Sequence, residues 1–90
     1  MAVVWIPSLL QRFTGNDEKV TVPGSTLGQV INNLSAKYPA IRDHIMNSDT
    51  EFQESIALAV DGNICTKGLL EPVMDNSEVH VIPAMEGGQA

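Results

Sequence analysis

Ninety residues, 43% of them apolar and 18% charged, make one small domain with a single core, neither a disordered chain nor a membrane-embedded one. A formal charge of −6, eleven carboxylates against five Lys and Arg, argues against nucleic acid and against an anionic membrane surface, since both are held through Lys and Arg. The lone Cys65 excludes an internal disulfide framework and fits a reducing compartment.

The stretch Met1 to Pro7 has no basic segment and too short an apolar run for a signal peptide, so a cytoplasmic location is expected. Within it, Val3 to Ile6 reads as a first strand, with Val4 and Ile6 on one parity and Val3 and Trp5 on the other. Pro7 ends it. Ser8 to Asp17 reads as a long connection with a turn signal from Thr14, and Glu18 to Val22 as a second strand stopped by Pro23-Gly24. Two strands this close in sequence make an antiparallel hairpin the natural pairing.

Leu27, Val30, Ile31, Leu34 and Tyr38 then fall on one helical stripe. Thr26 is placed as its N-cap and Gln29 completes a capping box, while Pro39 sets the end near Tyr38. Ala40 to Met46 offers one more turn with Ile41 and Ile45 on a shared face, and the polar Asn47 to Glu54 stretch reads as an exposed loop. Ser55 to Val60 alternates as a third strand, Asp61-Gly62 is a hairpin turn, and Asn63 to Cys65 is a short fourth strand. After Leu69, Leu70 and Val73, the Asp75-Asn76-Ser77 turn leads into a final strand from Glu78 to Ile82, closed by Pro83 because proline cannot donate to a ladder. One amphipathic helix covers one face of such a sheet, which predicts an α+β two-layer domain. With the helix as crossover, the first and last strands lie side by side in the middle, as in a β-grasp. Residues 1–83 form this domain and residues 84–90 a C-terminal tail carrying Gly-Gly.

The usual catalytic constellations are missing. His44 and His80 have no Cys or acidic neighbours at metal-ligand spacing, and no base is placed to activate Cys65. Gly87-Gly88 is no phosphate loop, because no helix follows to supply amide donors. The chain alone does not read as an enzyme. The tail is different, since two residues without β-carbons enter a narrow cleft and adopt backbone angles closed to others. From Pro83 to Gly88, at ~3.3 Å per residue, it reaches on the order of 20 Å beyond the sheet.

The whole chain resembles the MoaD/ThiS family of ubiquitin-like sulfur carrier proteins. The matching residues are Ile6-Pro7, Gly24 to Ile31, Val60-Asp61-Gly62, Gly68-Leu69 and Glu78 to Ala84 leading to Gly87-Gly88. Within the family it is most similar to the carrier that supplies sulfur for cysteine synthesis. The resemblance implies that an E1-like adenylating and sulfurtransferase enzyme uses Mg-ATP to activate the carboxylate of Gly88, which a sulfur donor converts to a thiocarboxylate. The sulfur then passes to an acceptor enzyme such as a cysteine synthase. The carrier itself binds no cofactor or metal. Other readings are a molybdopterin-synthase small subunit, a thiazole-synthesis carrier, a protein modifier that forms isopeptide bonds through Gly88, or a non-catalytic β-grasp interaction module.

One departure matters. Gln89 and Ala90 follow Gly88, so the free carboxylate belongs to Ala90. Cleavage of the Gly88–Gln89 bond is therefore expected before activation. In related carriers this resembles the work of a JAMM-type peptidase, whose zinc would be the partner's. A docking surface is also expected: if Val4, Ile6, Ile56, Leu58, Val60, Val79 and Val81 face the helix, then Trp5, His80 and Ile82 lie on the open face, with Met85 just beyond. The alternative is that the Ser8 to Phe13 connection covers them.

Overall fold

The computed structural model describes residues 1–48, 51–65 and 67–83. Met85, Gly87, Gly88 and Gln89, with the rest of the 84–90 tail, lie outside the described residues. Five strands form one mixed sheet: β1 (Ala2–Trp5), β2 (Lys19–Val22), β3 (Ile56–Val60), β4 (Asn63–Ile64) and β5 (Glu78–Pro83). Their order is β2-β1-β5-β3-β4, with β1 and β5 parallel and every other neighbouring pair antiparallel. The first and last strands thus lie together near the middle, as the β-grasp expectation requires. A parallel pair needs a crossover, and α1 (Leu27–Lys37) is part of it.

Helix α1 forms because its apolar positions recur on one face. Leu27, Val30, Ile31 and Leu34 are all buried against the sheet face built from Val4, Val20, Val79 and Val81. At about 1.5–3 kcal/mol for each fully buried side chain, these four supply most of what holds the helix in place. Thr26 caps it, its hydroxyl accepting the Gln29 backbone N–H at 3.2 Å. The expected capping box is shifted by one residue, because Gln29 Oε1 accepts the backbone N–H of Ser25 at 2.8 Å instead of that of Thr26. The helix entry is also held in a β-like bridge, Thr26 opposite Pro72, with the Leu27 N–H donating to the Glu71 carbonyl at 2.8 Å. Gly24 makes the close approach to the helix feasible: with φ +151°, a β-carbon there would lie 2.9 Å from Val30 Cγ2 and from the Val30 backbone nitrogen.

Two loop expectations change. The Ser8 to Asp17 connection is mostly a 3-10 helix over Ser8–Thr14, whose Leu10 joins the core. Leu10 and Phe13, three residues apart, fall on one side of a three-residue turn. The Phe13 ring stacks on His44 with centroids 4.2 Å apart, tying this segment to α2 (Arg42–Ile45). The Asn47 to Glu54 stretch is not wholly exposed. Phe52 bridges back to Met46 and packs half-buried against the core, and Gln53 Nε2 donates to the carbonyls of Asp43 and Met46 at 3.0 and 3.2 Å. Ile41 and Ile45 are both fully buried, as their shared face predicts.

Candidate functional site

Strand β5 is the element that carries the chain toward its C-terminal end. It pairs with β1 from Glu78 to His80 and with β3 as far as Pro83, opposite Ile56. Val79 and Val81 are buried under α1, whereas His80 is half-buried and Ile82 is 40% exposed. The pleat therefore splits the strand as the alternation predicts. Pairing with β3 holds the strand as far as Pro83, its point of departure.

The open face of the sheet brings three strands together around Trp5. The register places Trp5 beside Lys19 of β2 and His80 of β5. The indole and imidazole rings stack at 5.8 Å between centroids and 4° between planes, and the Lys19 ammonium lies 5.4 Å from a Trp5 ring centroid. His80 Nε2 also stands 3.7 Å from a Glu78 carboxylate oxygen. Ile82, opposite Ala57, extends this face toward the end of β5. Trp5, His80 and Ile82 are thus gathered on one surface. Within the 3-10 connection, Leu10 is in the core and Phe13 stacks on His44. The sequence reading missed Lys19, whose place over Trp5 follows from the β1–β2 register and not from any local motif.

At the opposite end of the strands, Asp61 locks the β3–β4 turn to the start of β5. Asp61 and Gly62 adopt φ of 52° and 87°, as an Asp-Gly hairpin turn requires. The two Asp61 carboxylate oxygens accept the Glu78 backbone N–H at 2.9 Å and the Ser77 hydroxyl at 2.8 Å. These bonds, the backbone donor first, hold its carboxyl below the usual range. Asn76 donates its backbone N–H to the Met1 carbonyl at 2.9 Å, and the Met1 amino group lies 3.1 Å from Asp75 Oδ1. The N-terminus is therefore at the end of the sheet away from Pro83.

Cys65 is half-buried beside the core, and burial followed by the nearby Glu71 carboxylate pushes its thiol up in pKa. That favours the neutral thiol over the reactive thiolate. His44 is engaged by Phe13 and stands apart from His80. Among the described residues no group of three or more His, Cys, Asp or Glu side chains is placed to hold a metal ion. None of their helices is long and apolar enough to cross a membrane. The tail residues Gly87 and Gly88 and the Gly88–Gln89 bond are outside the described residues, so what the fold positions here is their root, Pro83.

The profile of the ThiS family matches residues 4–88, ending on the second glycine of the pair. The sulfur carrier protein CysO of Mycobacterium tuberculosis is 32% identical over 89 residues, covering 94% of this chain and 96% of that protein. The crystal structure of Mycobacterium tuberculosis CysO superposes with a TM-score of 0.87 at 30% identity, covering 93% of this chain and 99% of that one. A structure of the Amycolatopsis orientalis BexX/CysO complex has a chain of the same fold, with a TM-score of 0.90 at 23% identity over 98% of this chain and 100% of that one.

Proposed function

The chain belongs to the ThiS family, and on that premise we propose that it is a sulfur carrier, a co-substrate and not a catalyst, acting through Gly88 in cysteine synthesis. The observation that carries this is the family match running from β1 to Gly88 in a protein whose last strand lies inside the sheet and ends at Pro83. Once Gln89 and Ala90 are removed, the Gly88 carboxylate attacks the α-phosphorus of Mg-ATP in a partner enzyme, forming an acyl-adenylate and releasing pyrophosphate. Hydrosulfide then attacks the acyl carbon. A C–S bond forms, the C–O bond to AMP breaks, and a thiocarboxylate is left. An acceptor enzyme takes the sulfur. ATP, magnesium and the zinc of a JAMM-type peptidase all belong to partners.

Trp5, His80 and Ile82, with Met85 beyond them, form the contact surface for such enzymes. A Trp stacked on His80 beside the exposed Ile82 supports this, since aromatic anchors carry much of the energy at protein interfaces. The BexX/CysO complex supports the view that a protein of this fold works in a complex. The end of the family match at residue 88 supports processing at Gly88–Gln89.

The test uses radiolabelled sulfide, ATP, the activating enzyme and the acceptor enzyme, with and without the peptidase. A chain ending at Gly88 should pass label to the acceptor product without the peptidase, whereas the full chain should need it. A chain that stops at Gly87 should pass none. Equal transfer from the uncut chain would contradict the processing step, and transfer from the chain lacking Gly88 would contradict the carrier role.

A further inference from the structure

Across the open face the strand registers line up one continuous row: Lys19 of β2, Trp5 of β1, His80 of β5, Ala59 of β3 and Ile64 of β4. Cross-strand partners share a face, so all five side chains belong to the same side of the sheet. His80 stands at the centre of the row, its imidazole stacked on the Trp5 indole. Its side chain is 43% exposed, so it exchanges protons with solvent. Within the row it alone changes charge near neutral pH, because histidine titrates between about pH 5 and 8 whereas lysine stays protonated there.

The groups that face His80 are these. On β5 itself the Glu78 carboxylate lies 3.7 Å from Nε2. On the β1 side is Trp5, which carries the Lys19 ammonium of β2 at 5.4 Å from a ring centroid. On the β3 side is Ala59, and beyond it Ile64 of β4, 58% exposed, neither of them charged. With a neutral imidazole the row has one cation, at its β2 end. A second ring proton turns both imidazole nitrogens into donors, aims Nε2–H at Glu78 and leaves the indole between two cations. The middle of the face then carries an ion pair that an apolar partner must strip of water, a cost the neutral ring does not impose. We propose that His80 is a pH switch in the contact surface: the neutral imidazole stacked on Trp5 is the docking form, and its protonation weakens docking on an apolar partner surface. The inference rests on the reading of Trp5, His80 and Ile82 as that surface and deepens it. One proton sets the limit, a loss of affinity of at most about tenfold per pH unit on the acid side.

The experiment has two readouts. Trp5 is the sole tryptophan of the chain, so its fluorescence reports on the stack. Wild-type emission should change in one step between about pH 5 and 8, as an imidazolium quenches the indole beside it. The step should be absent in His80→Gln and kept in His44→Gln, the other histidine. The second readout is the Kd of the Gly88-ending chain for the activating enzyme, by titration calorimetry at several pH values. Dividing the wild-type Kd by that of His80→Gln cancels the enzyme's own titration. From about pH 8 to about pH 6 this ratio should rise about fivefold or more, within the roughly hundredfold that one proton allows over two pH units. The ratio of wild type to His44→Gln should stay within about twofold, the scale of a surface change outside an interface. Circular dichroism checks that each variant is folded, and His80→Asn serves as a second neutral variant. The switch is overturned if the fluorescence step is missing or survives in the His80 variants, if the Kd ratio to them is flat with pH, or if His44→Gln removes the dependence. Failure of the wild-type chain to bind at about pH 8, where histidine is neutral, strikes the contact-surface reading instead.

Discussion

Single residues fix the end of the sheet away from Pro83. Asp61 holds the β3–β4 turn against the Ser77 hydroxyl and the Glu78 N–H, and its folded pKa lies below its unfolded value. A carboxyl shifted this way contributes stability above its unfolded pKa, and the contribution is lost as pH falls through its folded pKa. Asp61→Asn keeps the turn geometry but cannot titrate. The urea midpoint of wild type should exceed that of Asp61→Asn at pH near 7, and the gap should close as acidification protonates the Asp61 carboxyl. A gap that persists in acid would remove the carboxylate from the account. Gly24 is a second fixed point, since a β-carbon there meets both the side chain and the backbone of Val30. Gly24→Ala should cost about 1–3 kcal/mol by chemical denaturation, the range for a residue forced into a sparsely populated backbone region. The Cys65 thiol is half-buried and pushed up in pKa by burial and by the Glu71 carboxylate. Cys65→Ser should therefore be converted to thiocarboxylate at the wild-type rate, and loss of conversion in a folded variant would contradict that.

Among the elements, α1 carries the most burial. Leu34 is fully buried between the helix and the sheet, so Leu34→Ala should lower unfolding free energy by about 2–5 kcal/mol, while conversion at Gly88 persists wherever the variant stays folded. The helix and the five strands were legible in the sequence, as were the in-or-out parities of β1, β3 and β5, because periodicity and the Pro and Gly punctuation agreed. The open-face placement of Trp5, His80 and Ile82 was legible for the same reason. The 3-10 helix over Ser8–Thr14 was not, since its signal is only the Leu10–Phe13 pair inside a polar run and its burial depends on α2. The bridge from Phe52 to Met46 was hidden likewise, because a single aromatic among polar residues reads as surface until the core beneath it is placed. Lys19 over Trp5 is a product of register, which local pattern does not specify.

For the whole molecule, the arrangement separates holding from reacting. The N-terminus, the Asp61 lock and the Met74–Ser77 turn gather at one end of the sheet, and Pro83 leads out at the other. Substitutions at the first end should act on stability, and those around Pro83 on partner kinetics. The central claim concerns Gly88 itself, and intact mass reads it directly. Purified chain would be incubated with the peptidase, then with the activating enzyme, Mg-ATP and sulfide. The predicted result is loss of Gln89 and Ala90 followed by a gain matching exchange of one oxygen for one sulfur, mapped by fragmentation to Gly88. A chain that keeps its mass, or gains sulfur anywhere but Gly88, would contradict it.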